Sequence, residues 1–133
     1  MRPIIIAGNW KMHGTPAEAG PLARSIADGI AAPSVTRVLC PPYLALAAVR
    51  DALAGTGVEV GAQNVHAEAS GAYTGEISAA MLAGIVGWAI LGHSERRRDQ
   101  GETDALVGRK VVRCAEAGIR PILCVGEQLA DAQ

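Results

Sequence analysis

Two polar side chains that could act on a small anionic carbonyl compound, Lys11 and His93, each follow an apolar run of strand length. Lys11 stands close to Asn9, and its ammonium is a compact point charge suited to a phosphate or a developing oxyanion. His93 precedes Ser94, which can cap a helix. Because the positive end of a helix disfavours an imidazolium, a neutral His93 could donate a hydrogen bond to a carbonyl and move a proton during enolisation. A lone lysine after a strand is more often simply solvated, so the elements that position these residues decide between the two interpretations.

Five apolar runs predict the strands that would carry these side chains. They are rich in Ile, Val and Leu without polar alternation, as expected for parallel strands buried on both faces. The runs are Pro3–Ala7, Arg37–Cys40, Val58–Ala62, Trp88–Leu91 and Pro121–Val125. Since the carboxyl ends of parallel strands meet at one edge of a sheet, Lys11 and His93 are expected at the same mouth.

Helical patterns fill the segments between the runs. The first helix is predicted to begin at Thr15, with a proline in its first turn and Glu18 reaching back to the free amide of the cap. Spacings of three or four residues predict the core faces, namely Leu22, Ile26 and Ile30; Leu46, Val49 and Leu53; Met81, Leu82 and Ile85 after a Ser78 cap; and Val107, Val111 and Cys114 before a Gly118 C-cap. Glu127–Gln133 predicts a shortened fifth helix, and Val65–Glu76 predicts a long irregular loop.

Five strand–helix units fit two architectures. One is a doubly wound, flavodoxin-like sheet, which is complete at about this length, and the other is the front of an eight-unit barrel, which needs ~250 residues. Periodicity alone leaves both open. The third run ends in Gln63 and Asn64, not in an acidic phosphoacceptor, and no G-x-G-x-x-G turn follows the first run. Both observations count against the familiar functions of the doubly wound sheet.

The composition excludes several classes of protein. Half of the 133 residues are apolar, enough for a single domain with an aliphatic core, and 12 basic residues nearly balance 13 acidic ones. The sequence has no basic stripe with interleaved aromatic residues, so it does not predict nucleic-acid binding. No apolar run reaches the ~20 residues of a membrane span. The run Arg96–Arg98 is expected to be a solvated or paired face, with an anion or RNA site as the alternative. Three widely spaced cysteines lack metal-ligand spacing and predict buried thiols in a cytoplasmic protein.

Several blocks, in order and along the whole chain, resemble the triosephosphate isomerases. They are Ala7–Met12, Gly61–Val65, Gly71–Ser78, Ile90–Arg97 and Pro121–Glu127. The resemblance implies an α/β fold, a partial TIM barrel made of the first five parallel strand–helix units of an eight-unit barrel. It also implies interconversion of dihydroxyacetone phosphate and glyceraldehyde 3-phosphate, without cofactor or metal.

The resemblance assigns roles to particular residues. It implies that Asn9 and Lys11 bind the triose phosphate, that His93 is the neutral electrophile, and that Glu95 is the active-site acid that can pair with Lys11; the neutral histidine is a known property of this family. It also implies a set of interface residues, some of them in an arm that docks next to the site of a neighbouring subunit. That set is Met12, Gln63, Asn64, Thr74, Gly75, Glu76 and Arg97.

The chain departs from the family where the second half of the barrel would stand. The family's general base is a Glu after strand six, and its phosphate-binding loops follow strands seven and eight, so we expect a single partial domain over residues 1–133, truncated after strand five. Three hypotheses follow: a half that acts with a complementing C-terminal half, an inactive module that associates with itself or a partner, and a homo-oligomer whose chains complete one another. The first is favoured, and the third is disfavoured because no copy supplies the base.

Overall fold

The computed structural model describes residues 1–131 and contains one parallel sheet of five strands in the order β1-β2-β3-β4-β5. The strands are β1 (Ile5–Asn9), β2 (Thr36–Cys40), β3 (Glu59–Ala62), β4 (Trp88–Leu91) and β5 (Arg120–Leu123). The helices are α1 (Pro16–Gly29), α2 (Leu46–Ala52), α3 (Ala79–Leu82), α4 (Ser94–Asp99) and α5 (Asp104–Ala117), with a 3₁₀ turn at Tyr43–Ala45. The five predicted strands are confirmed, each within two residues of its predicted start and end. Consecutive strands lie side by side in a curled half-barrel, so the partial TIM barrel is the correct alternative.

Alternate residues of β2 and of β4 point into two different cores. Leu39 of β2 and Leu91 of β4 pack with the helices in the larger core. Val38 and Ile90 point the opposite way, into a smaller cluster on the concave face of the sheet. This alternation is the period of two expected of a strand buried on both faces.

The edges of the sheet are its most exposed apolar parts. On β1 and just before it, Ile4 and Ile6 are each 62% exposed. Beyond β5, Val125 is 83% exposed, and Leu123 within the strand is also exposed. Because β1 and β5 end the strand order, each has one side with no strand beside it within residues 1–131.

The predicted core face of α1 is right at Ile26, which packs against the larger core, and wrong at Leu22 and Ile30. Leu22 and Ile30 are exposed, and the buried residues are Ala19 and Ala23. The reason is close packing: α1 lies so near α2 that a Cβ added to Gly20 would come within 3.7 Å of a backbone oxygen of the second helix. The side chains buried at this helix are the two small alanines, and Leu22 is turned outward.

Helix caps and ends follow the predictions more closely. Thr15 caps α1 and accepts from the amide of Glu18, but the Glu18 carboxylate accepts from the Thr15 hydroxyl and not from the cap amide. Ser78 caps α3, and Gly118 ends α5 in the left-handed region, as predicted. The predicted fifth helix is absent from Glu127 to Asp131, and residues 132–133 lie outside the described residues.

The cysteine thiols are buried to different degrees. Cys40 and Cys114 are fully buried, and burial raises the pKa of the Cys40 thiol to about 12 and that of Cys114 to about 11. Cys124 is half-buried, and burial raises its pKa as well. These thiols are protonated at neutral pH, which agrees with a packing role.

Candidate active site

The backbone of Lys11 is held in an uncommon conformation at the end of β1. Its φ is +56°, in the left-handed region that residues with a Cβ seldom adopt. The Lys11 amide donates to Asn9 Oδ1 at 2.9 Å, and the Lys11 carbonyl accepts from Gln63 Nε2 at 2.8 Å. The same Gln63 nitrogen donates to the Cys40 carbonyl at 2.9 Å. Side chains from two strand ends therefore fix the lysine against the strain of its backbone.

His93 follows β4 and is itself the N-cap of α4. Its Nδ1 accepts a hydrogen bond from the Glu95 amide at 3.1 Å. The prediction that Ser94 is the cap is wrong, because an imidazole nitrogen takes the position of the expected hydroxyl. A nitrogen that accepts this bond carries no proton, so the hydrogen bond selects the neutral tautomer with its proton on Nε2.

Lys11 and Glu95 form an ion pair across the two strand ends. Lys11 Nζ lies 2.6 Å from Glu95 Oε1, and Glu95 Oε2 lies 3.9 Å from His93 Nδ1. The hydrogen bond from Lys11 lowers the pKa of the Glu95 carboxyl. Both partners are partly exposed, so the pair serves to place the ammonium beside His93 more than to stabilise the fold.

These residues line one open cleft of about 360 Å³ at the carboxyl ends of the strands. Its walls are formed by Asn9, Lys11, Met12, Tyr43, Gln63, Asn64, His93, Glu95, Arg96, Asp99 and Gln100. The structure thus brings together all four residues predicted to bind or act on substrate. The cleft holds a cation, a neutral imidazole with a donor nitrogen, and amide side chains, a set suited to an anionic carbonyl compound.

Comparison with known proteins agrees with this arrangement. A family model described as triosephosphate isomerase matches residues 4–133. The chain belongs to the triosephosphate isomerase family. A triosephosphate isomerase from a Synechocystis species is 53% identical over 134 residues, covering 98% of this chain and 55% of the relative. One from Carboxydothermus hydrogenoformans is 48% identical over 135 residues, covering all of this chain and 54% of the relative. The chain therefore spans about half the length of the curated triosephosphate isomerases that it matches.

The residues that the family resemblance assigns to an interface fall into two groups. Met12, Gln63 and Asn64 lie at the cleft; Met12 is 92% exposed, whereas the side chain of Asn64 is buried and bonded within the chain. Thr74, Gly75 and Glu76 are exposed in the irregular loop and do not line the cleft. Their role between subunits stays a prediction.

The predicted loop between β3 and α3 is irregular, as expected. The Glu76 carboxylate lies 3.4 Å from Nδ1 of His66, and the His66 ring lies 4.5 Å from that of Tyr73. The His66 amide donates to the Ile77 carbonyl at 2.8 Å, which closes the base of the loop. These contacts give the exposed tip a defined shape without secondary structure.

The arginine run after His93 is an internally paired segment. Arg96 pairs with Glu102, Arg97 with Asp104 and Arg98 with Asp99. Arg97, predicted at an interface, also donates to the carbonyls of Gly92 and Cys124, and so it ties the end of β4 to the end of β5. An interface role for Arg97 stays a prediction. The pairing favours the structural interpretation of the run over an RNA or anion site.

A buried charge network behind the cleft was missed by the sequence analysis. Lys110 of α5 and Glu102, just before α5, are 4% and 6% exposed, and Lys110 Nζ lies 2.5 Å from Glu102 Oε2. Burial raises the pKa of Glu102, but the hydrogen bonds from Lys110 and Arg96 outweigh burial, so the net direction is downward. The sequence held one signal of this network, because Lys110 falls within the apolar stripe of α5.

Neither a metal centre nor a membrane span is found in the described part of the chain. Residues 1–131 contain no group of three or more His, Cys, Asp or Glu side chains placed to hold a metal ion. None of their helices has the length and apolar character needed to cross a membrane.

Proposed function

We propose that this chain supplies the electrophilic side of an active site that interconverts dihydroxyacetone phosphate and glyceraldehyde 3-phosphate. The observation that carries the proposal is the hydrogen bond from the Glu95 amide to His93 Nδ1, which leaves Nε2–H as the donor in the same cleft as Lys11. The family supplies the substrate class, and the cleft supplies groups that fit it.

The chemistry follows from those groups. Isomerisation needs a proton removed from the carbon next to a carbonyl, and negative charge then develops on the carbonyl oxygen. His93 Nε2–H would donate to that oxygen, and the Lys11 ammonium would offset the charge of the enediolate and of the phosphate. Asn9, which bonds the Lys11 amide, would hold that lysine at the substrate.

The general base has to come from outside this cleft. Its two carboxylates are Glu95 and Asp99, and each is held by a cation, Lys11 and Arg98 respectively. Those hydrogen bonds lower the pKa of both carboxyl groups, which makes them weak bases. We therefore propose that activity requires a complementing C-terminal half that contributes the base, the lid and the phosphate-binding loops.

Complementation tests this function. The chain would be mixed with the second half of the Synechocystis relative, complex formation verified by sedimentation, and isomerase turnover measured. We expect turnover to rise by orders of magnitude over either half alone, and to fall about 10²-fold or more when His93→Gln replaces the donor. A verified complex with no gain in turnover would reject the proposal.

The exposed sheet edges favour one alternative function. Apolar side chains are exposed at both edges of the sheet, where parallel strands could add. They belong to Ile4 just before β1, Ile6 within β1, Leu123 within β5 and Val125 just beyond β5. A chain that covered these edges with its own copies would be an inactive, self-associating module. Sedimentation of the chain alone distinguishes the two: a stable monomer that associates only with the C-terminal half supports the isomerase, and a stable homo-oligomer that excludes that half supports the alternative.

A further inference from the structure

The buried pair of Lys110 and Glu102 has polar connections that lead toward the cleft. A buried ion pair contributes little to stability unless further hydrogen bonds satisfy both partners. Here each partner has one further hydrogen bond to a side chain that lines the cleft, Glu102 Oε2 from Arg96 and Lys110 to Asn64. Within residues 1–131, the other carboxylate oxygen, Glu102 Oε1, is buried without a hydrogen-bond partner. The bonds of this network therefore indicate that it positions parts of the cleft and does not only stabilise the fold.

On one side, the pair holds the segment that carries His93. Glu102 Oε2 accepts from Arg96 Nε at 2.6 Å as well as from Lys110. Arg96 lies in the first turn of α4, and its amide donates to the His93 carbonyl at 2.9 Å. One carboxylate oxygen therefore ties α5 to the turn that begins at the electrophile.

On the other side, the pair holds the segment that supports Lys11. Lys110 Nζ donates to Asn64 Oδ1 at 2.7 Å, and the Asn64 carbonyl accepts from the Tyr43 hydroxyl at 2.6 Å. The residue before it, Gln63, donates to the Lys11 carbonyl. A single ammonium, which has three protons to donate, thus connects the segment after β3 with the segment after β4.

We propose that Lys110 is a positioning residue, which fixes the distance between Lys11 and His93 by bonding Asn64, which lines the cleft, and Glu102, which holds Arg96 at the cleft. It touches neither reacting group and acts through the backbone of α4 and of the β3 end. The catalytic consequence of this role rests on the proposed function; the positional role itself does not.

Amide hydrogen exchange in the full chain alone tests the positional role. Lys110→Met keeps the length of the side chain and removes its charge and donors. We expect the Glu95 amide, which bonds His93, to exchange about tenfold faster or more relative to the Cys114 amide, which lies deep in α5. A loss of global stability alone would accelerate both amides by the same factor, and that outcome would overturn the proposal.

Two further variants keep the test decisive. Val49→Ala removes fully buried apolar atoms from α2 and should accelerate the two amides equally. If Lys110→Met leaves the buried Glu102 so poorly paired that the chain does not fold, the double variant Lys110→Met/Glu102→Gln removes both charges together. We expect the same selective acceleration at Glu95 in the double variant, and native protection there would overturn the proposal.

Turnover of the complemented complex adds the catalytic test. We expect Lys110→Met to lower kcat about 10- to 100-fold, since a misplacement of about 1 Å can cost that much, with a smaller change in KM. Val49→Ala should leave kcat unchanged. An unchanged kcat in Lys110→Met would overturn the catalytic consequence of the positional role, whereas a wild-type complex without turnover would reject the proposed function and leave the exchange experiment to decide on the positional role.

Discussion

Gly92, the residue between β4 and His93, is a position where a single added methyl group should strongly destabilise the fold. Its φ is +66°, and a Cβ built there would lie 2.8 Å from Arg97 Nη2 and 2.9 Å from Val107 Cγ1. Arg97 ties β4 to β5, and Val107 is 2% exposed in α5, so neither neighbour can move freely. Gly92→Ala therefore tests how rigidly the fold holds His93.

Two costs add at this position. An alanine in the left-handed region costs roughly 1–2 kcal/mol relative to glycine, and forcing an extra methyl into a packed site costs about 1–3 kcal/mol. The sum is about 2–5 kcal/mol in the free energy of unfolding. That is a large share of the ~5–15 kcal/mol by which a domain is typically stable.

Gly118 provides a matched control. Its φ is +71°, and a Cβ there would meet no atom within 4 Å, so Gly118→Ala carries the backbone cost alone, about 1–2 kcal/mol. Urea unfolding of both variants would measure the difference. Val107→Ala should recover part of the Gly92→Ala loss, because it removes the methyl groups that the new Cβ meets. Equal losses in Gly92→Ala and Gly118→Ala, with no coupling to Val107, would refute the packing argument.

Three further perturbations test separate features. Lys11→Met should raise the pKa of the Glu95 carboxyl toward its ordinary value, as followed by NMR titration, and barely change the unfolding midpoint; an unmoved titration would contradict the ion pair. The pKa of Glu102 is lower in the folded state than its ordinary value of 4.5. Its contribution to stability is therefore present above pH 4.5 and is lost as the pH falls through the folded-state pKa. Glu102→Gln should flatten the acid limb of a plot of unfolding free energy against pH, and an unchanged limb would contradict the prediction. Ile6→Lys should weaken any association of the chain through the β1 edge, as measured by sedimentation. The free energy of unfolding should change little, because the side chain is 62% exposed. Undiminished association would show that β1 is not part of the contact.

The strands were the most predictable part of this molecule. Each is a short, nearly continuous run of Ile, Val and Leu, and burial on both faces leaves that signature in the sequence. The core face of α1 could not be read in the same way. A spacing of four residues fits Leu22 and Ile26 as well as it fits Ala19 and Ala23, and only the closeness of α2 selects the small residues for the contact.

The placement of the candidate site residues was predictable, but their contacts were not. Lys11, His93 and Glu95 follow strand ends, and topology alone brings them together. The cap was misassigned because a serine next to a histidine is the commoner cap, and only the geometry shows that Nδ1 accepts the amide. The sequence did not reveal Glu102 as the partner of Lys110, because the pair forms across the turn that joins Glu102 to α5.

The sequential strand order also has a consequence for how the chain acquires its structure. Every strand from β2 to β5 pairs with the strand immediately before it in the sequence. During synthesis, each new strand therefore meets a partner that has already emerged from the ribosome, and no pairing waits for a distant segment. A half-barrel built this way can grow unit by unit, with β5 as the template on which any later strand would begin.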